Sequence, residues 1–387
     1  MRPRRREVAE GIGQTRAPRR ILAGRSALPQ SAAVREHRPV PMSNPTSQAA
    51  PLLAAYPELS PKAYEHPADR AATALLHRLP LFDELVKRLL DLTVERRMMQ
   101  LLLGNSVRVG EDQLPELWGS HRAVCKSLDL PAVPPLHVIQ SPVANAVTLG
   151  ARHPVVLVQS STVSMLDAHE LQAVLAHEAG HVLSEHVRYR TTLELLMRMA
   201  VPRLPLLGQA PLRAVIMLLM AWYRAAELSC DRAAALALRD PQAVCSVLMK
   251  MAGGGLKGLS LDAFVRQADD YIEWDDLFDR HQRLRHELWT THPFPVRRVH
   301  ELTRWVKEGD YDRIVAGDYL RRGQEPPASE EVRSAIAHYT ERFEELVHRT
   351  AGGVTRWSTQ LRRWLGSFRQ RAEEEGEGSE AEVDEEG

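Results

Sequence analysis

Apolar residues recur at helical spacing from Ala68 to Leu103, with Leu75, Leu79, Phe82, Leu85, Leu89, Leu92, Met99 and Leu102 set among Asp, Arg and Lys. This predicts one or two amphipathic helices with a break near Pro80, stopped by Gly104 and Asn105. A further helix is expected from Leu114 to Leu128, ahead of Pro131. Beyond it the period changes. The runs 136–139, 144–149 and 154–159 are short, rich in Val, Ile and Leu, and bounded by Pro and Gly, so they read as strands joined by tight turns. Helical spacing returns at Asp167, which can cap a helix while Glu170, three residues on, completes a capping box before Leu171, Val174 and Leu175. That helix is expected to run to about His186. Later helices are predicted over 192–200, 211–238, 261–288, 296–307 and 332–364, with a Pro-rich break at 202–211 and a loop at Gly253–Gly255. The pattern describes an α+β fold, mainly α, with a small sheet inserted in a helical chain.

With 44% hydrophobic residues in 387, the chain can bury a sizeable core. The first 57 residues are an exception: Pro, Ser, Arg and Ala without periodicity bury too little surface to offset their ordering entropy, and a disordered basic tail is expected. The remaining expected divisions are an N-terminal helical region over 58–130, a catalytic core over 131–310, a C-terminal helical region over 311–370 and a disordered acidic tail over 371–387. Fifty basic residues balance fifty acidic ones, so nucleic acid is not the expected partner. The charge is uneven, since residues 1–40 hold ten Arg against three Glu and residues 372–387 hold nine acids and no base. Cys125, Cys230 and Cys245 are odd in number and lack paired C-x-x-C spacing, which fits a reducing compartment better than a disulfide scaffold. No apolar run reaches the roughly 18 residues needed to span a bilayer. The longest, 214–223, has Arg213 and Arg224 at its ends and reads as a buried helix. The Arg-rich start has no apolar stretch after it that would make a signal peptide, and a solvated tail is the favoured reading over a transit peptide.

The sharpest chemical signal is His177-Glu178-Ala179-Gly180-His181, an H-E-x-x-H on the capped helix. Residues four apart share a helical face, so both imidazoles can reach one metal ion while Glu178 points to the side where a water would sit. A third protein ligand is needed, with one position left open. The metzincin extension fails, because Ser184 and Val187 stand where its Gly and third His would be. A glutamate on a later helix is the other common solution, and Glu227 fits. Asp231, on the same helical face, is placed to accept the free N–H of a ligand histidine and fix its tautomer. His186, about 500° of helix beyond His181, reads as a surface or cleft histidine, and Cys230 as a small buried thiol.

Five ordered motifs extend this signal: Asn145-Ala-Val-Thr-Leu-Gly150, the run 154–161, the segment 167–182, Glu227-Leu-Ser-Cys-Asp-Arg-Ala233 and Thr291-His-Pro-Phe-Pro-Val-Arg-Arg-Val299. Together they resemble the gluzincin zinc metallopeptidases that include the HtpX heat-shock protease and the CAAX prenyl endopeptidase. The resemblance implies a zincin-like (minigluzincin) catalytic domain holding one Zn2+ per chain. It implies His177, His181 and Glu227 as zinc ligands, Glu178 as general base activating a metal-polarised water, and Asp231 as a supporting carboxylate. Asn145 and Ala146 match the edge strand along which substrate peptides lie. His292 and Arg298 match the His-Pro-x-x-x-x-Arg motif near the cleft; His292 is expected to stabilise the developing oxyanion, with Arg298 supporting it or orienting substrate. The implied activity is endopeptidase cleavage of peptides or unfolded, damaged proteins. Unlike the multispanning branches, this chain is expected to be cytoplasmic, with any membrane contact peripheral and made through 204–223. The alternative is a zinc-stabilised peptide-binding or chaperone-like module that does not cut.

Overall fold

The computed structural model describes residues 53–77, 86–87, 92–200, 210–273 and 293–325. The α-helices with described bounds are α1 (Pro67–His77), α2 (Leu92–Gly104), α3 (Pro115–Ser127), α4 (Ser160–Met165), α5 (Ala168–Leu183), α6 (His186–Ala200), α7 (Ala210–Leu238), α8 (Pro241–Gly253), α9 (Leu261–Glu273), α10 (Pro295–Lys307) and α11 (Asp310–Val315). The strands are β1 (Ser106–Arg108), β2 (Leu136–Ile139), β3 (Ala146–Leu149) and β4 (Val155–Gln159). They form one mixed sheet in the order β1-β2-β4-β3, with β2 and β4 parallel and both outer pairs antiparallel. Val155, Val156, Leu157 and Val158 are all buried, as an inner strand covered on both faces requires. This is the mainly helical, zincin-like α+β architecture expected from the sequence.

The capping box forms as the sequence predicts. Asp167 Oδ1 accepts from the N–H groups of His169 and Glu170, and Glu170 Oε2 accepts from Asp167 N–H at 3.0 Å. From this fixed start α5 runs through the main core, with Ala173, Leu175, Ala176 and Ala179 in it. Helices α3, α7 and α8 and strand β3 pack against it, and α10 joins the same core through α7 and α8. A second apolar cluster joins α1 (Ala72, Leu76) and α6 (Tyr189, Leu193, Leu196) to the first half of α7. Leu219, Met220, Trp222 and Tyr223, from the run read as a buried helix, are buried there. No described helix is long and apolar enough to cross a membrane.

Several boundaries differ from the sequence reading. The helix after Asp167 ends at Leu183 rather than near His186, because Glu185 turns into the left-handed region (φ 55°) and a new helix starts at His186. Residues 53–57, assigned to the tail by composition, contribute to the core: Tyr56 is buried, its hydroxyl donates to Leu236 O and its N–H to Ser127 O. Leu59 bridges Arg321, so the chain just before α1 is tied to the chain after α11. Three-residue β1, six-residue α4 and α8 were not anticipated. The break near Pro80, the helix over 332–364, residues 274–288 of the expected 261–288 helix, and both tails up to residue 52 and from 326 lie outside the described residues.

Candidate active site

Helix α5 places His177 and His181 one turn apart, ring centroids 5.0 Å from each other. Helix α7 lies directly against this turn, and Gly180 is what allows it. A Cβ there would sit 2.9 Å from Ala233 Cβ and 3.4 Å from Cys230 Cα, so any larger residue forces the two backbones apart. The close approach brings Glu227 between the imidazoles: its Oε2 lies 3.4 Å from His177 Nε2 and its Oε1 3.3 Å from His181 Nε2. One turn further along α7, Asp231 Oδ1 sits 3.1 Å from the other nitrogen of His177, Nδ1. Arg298, from the first turn of α10, forks onto both carboxylates, with Nε and Nη2 at 2.8 and 2.6 Å from Asp231 and Nη1 at 3.1 Å from Glu227 Oε2.

This buried cluster draws positive charge. Burial works against a charged His177, but hydrogen bonds to Asp231 and Glu227 push its pKa up to about 9. For His181 burial dominates and holds the ring neutral, well below the usual histidine range. Burial tends to raise the Asp231 carboxyl, and Arg298 and His177 more than offset it, keeping it ionised. His181 Nε2 is fully buried and makes no hydrogen bond, which is costly for a polar atom unless something else ligates it. A cation suits this donor set. The observed separations match the edge of a tetrahedron of nitrogen and oxygen ligands about 2.0–2.1 Å from zinc, which is about 3.3 Å. Cys230 Sγ is also within 4.8 Å of nitrogens of both histidines. It is the poorer ligand: burial and the neighbouring Glu227 push its thiol well above the ordinary range, away from the thiolate that binds metal.

Glu178, buried beside the histidines, accepts from Thr148 Oγ1 at 2.7 Å through Oε2. Arg190 Nη1 lies 3.6 Å from the same oxygen, and its guanidinium stacks over Tyr223 at 5.0 Å. Thr148 is on β3, a sheet edge in the observed order, and Asn145 and Ala146 stand at the start of that strand. Asn145, Ala146, His177, Glu178, Glu227 and Arg298 line one cavity of about 330 Å³. The rest of its lining is largely apolar, with Val174, Val244, Val247, Leu248, Met251 and Phe294.

The structure thus brings together His177, Glu178, His181, Glu227, Asp231 and Arg298, with Asn145 and Ala146 beside them. His292 lies outside the described residues. Arg298 pairs with Asp231 and Glu227 and also lines the cavity. His186 is not the surface or cleft histidine expected from a continuous helix. The turn at Glu185 swings it back, buried, to 3.3 Å from His181 Nδ1. Thr148 and Arg190 had no local signal, because their contacts with Glu178 are tertiary alone.

Residues 113–306, half of the chain, match the profile of Peptidase family M48. The plastoglobule-localized metallopeptidase 48, chloroplastic, of Arabidopsis thaliana is 36% identical over 271 residues, covering 68% of this chain and 78% of that protein. The chain belongs to peptidase family M48. A protease HtpX homolog of Ralstonia pickettii is 27% identical over 239 residues, covering 55% of this chain and 82% of its own. An HtpX homolog 2 of Methanosarcina mazei is 30% identical over 170 residues, covering 38% and 58%. No solved structure matches at a significant level. As an M48 member the protein is a metalloprotease, a hydrolase of a family that is zinc-dependent in general.

Proposed function

We propose that this M48 protein is a single-zinc endopeptidase in which His177, His181 and Glu227 hold the metal and Glu178 is the general base. The observation that carries the reading is the position of Glu227, whose two oxygens stand 3.4 and 3.3 Å from the Nε2 atoms of the two histidines. Zinc bound there supplies Lewis acidity, acidifying water and polarising the scissile carbonyl. Glu178 takes a proton from the attacking water and passes it to the departing amine as the C–N bond breaks. Thr148, donating to Oε2, fixes one carboxylate oxygen and leaves the other to the cleft. Asp231 accepts the Nδ1 proton of His177, and Arg298 anchors Asp231, so the ring keeps the tautomer that presents Nε2.

For substrate we propose an extended peptide or unfolded protein segment laid along β3 near Asn145 and Ala146. Adding a strand at a sheet edge holds backbone without regard to sequence. The apolar wall of Val174, Val247, Leu248 and Met251 favours a large hydrophobic side chain beside the cleaved bond.

The test is Glu178→Gln, assayed on an unbiased peptide mixture beside the wild type. The variant is expected to keep its zinc and lose cleavage by at least about 100-fold, the lower end of what general-base catalysis contributes. Undiminished cleavage contradicts the mechanism. A wild type that binds the peptides and cuts none points instead to the peptide-holding module.

A further inference from the structure

The stretch matched by the family profile begins at residue 113, yet a residue far ahead of it is linked through His186 to His181. Asp69, in the first turn of α1, is buried with 1% exposure, and its Oδ2 lies 3.0 Å from His186 Nε2. The other nitrogen of that ring, Nδ1, is 3.3 Å from His181 Nδ1. Ser229 Oγ donates to the same Asp69 oxygen at 2.6 Å and accepts from His66 N–H at 2.9 Å. Asp69, His181, His186 and Ser229 are all buried.

One set of protons satisfies this chain once His181 offers Nε2 to a metal. The ring then carries its proton on Nδ1, where His186 Nδ1 stands at 3.3 Å among the described residues to accept it. An accepting Nδ1 requires the His186 proton to sit on Nε2, which faces Asp69 Oδ2. Ionised Asp69 accepts from both His186 and Ser229. Cys230 Sγ, 3.6 Å from His186 Nδ1, is a weak donor that makes the same demand on that nitrogen. Reversing any link leaves two donors or two lone pairs face to face at buried positions.

We propose that Asp69 and His186 are positioning residues that fix the tautomer and ring orientation of His181, so that helix α1 completes the metal centre from outside the family-matched stretch. This rests on the ligand set proposed above. It makes the two ligand histidines differently supported: His177 by Asp231 on α7, and His181 through a second imidazole by a carboxylate on α1. Outer hydrogen-bond partners of this kind commonly change metal affinity by about 10- to 100-fold when removed.

The experiment measures zinc dissociation constants of the full chain by competition with a chromophoric chelator, for wild type, Asp69→Asn and Leu76→Ala. Leu76 is a buried α1 residue in the second apolar cluster, so its truncation loosens α1 without touching the hydrogen-bond chain. Asp69→Asn is expected to weaken zinc binding by about 10- to 100-fold and Leu76→Ala by less than about 3-fold. In ¹H–¹⁵N spectra of the zinc-loaded chain, wild type is expected to show His186 fixed as the Nε2–H tautomer, a signature lost in Asp69→Asn and kept in Leu76→Ala. Should Asp69→Asn not fold, His186→Phe, which fills the space without donor or acceptor, is expected to weaken zinc to the same extent. Unchanged affinity in Asp69→Asn, or equal weakening in Leu76→Ala, overturns the proposal while leaving the ligand set intact. A wild type that binds no zinc overturns the ligand set itself, and the proposal with it.

Discussion

Two buried glutamates sit about two turns apart on α5 and have opposite surroundings. Glu170, at the N-terminal end, is saturated: Ser246 Oγ donates to it at 2.7 Å, Lys250 Nζ at 2.6 Å and Asp167 N–H at 3.0 Å. Glu178 has one short side-chain donor, Thr148, a guanidinium held off at 3.6 Å, and an open cavity. A carboxylate with both oxygens tied to fixed donors stabilises the fold and is not free to meet a substrate. One that is anchored on one oxygen and open on the other leaves acceptor sites facing the cavity. The difference separates the end of α5 that pins α8 in place from the end that faces the cavity.

The largest effect is expected from Gly180→Ala, at the reactive end. The added methyl meets Ala233 Cβ at 2.9 Å and Cys230 Cα at 3.4 Å, neither of which can turn aside as a flexible side chain would. The helices must part by a few tenths of an ångström, and Glu227 moves with α7. Zinc affinity is expected to fall by at least about 10-fold, by the same sensitivity of metal sites to ligand placement. Wild-type affinity in this variant, measured by chelator competition, contradicts the claim that helix contact sets the ligand geometry.

Glu170→Ala tests the other end. It strands the Ser246 hydroxyl and the Asp167 N–H and removes the partner of Lys250, at a cost of about 2 kcal/mol in unfolding free energy. Zinc content and cleavage per folded molecule are expected to stay at wild-type levels. A loss of activity without a loss of stability, read by urea titration and peptide assay together, erases the contrast.

A third buried carboxylate extends the comparison to pH. Burial would raise the Glu301 pKa, but His66 and Arg304 reverse the sign and hold it down at about 2. Its folded value therefore lies below the unfolded one of about 4.3. The stabilisation it contributes is complete above the unfolded pKa and is lost as pH falls through about 2. At neutral pH no change is expected. Between pH 5 and pH 3 the urea midpoint of the wild type is expected to fall more than that of Glu301→Gln, and parallel curves contradict the assignment.

Much of this site was legible in the sequence because it is written in local spacing. Asp167 and Glu170 announce the start of α5, and His177 and His181 share a face by helical geometry alone. Glu227 and Asp231 repeat that spacing on α7. Thr148 was invisible, since its hydroxyl matters only because β3 lies against α5. His186 was misplaced for a sharper reason: counting 100° per residue assumes an unbroken helix, and the positive φ at Glu185 returns the ring to His181. The edge strand β1 has three residues, too few for a period of two to show. Helix α8 carries readable signals, Asp240 accepting from Gln242 N–H and Ala243 N–H with Pro241 in the first turn, but the three glycines at its end have the composition of a loop.

The account depends most on one convergence of side chains from α5 and α7. Elemental analysis of exhaustively dialysed protein tests it directly. Wild type and Glu178→Gln are each expected to carry close to one zinc per chain and Glu227→Ala almost none. A Glu227→Ala chain that retains its full zinc would contradict it.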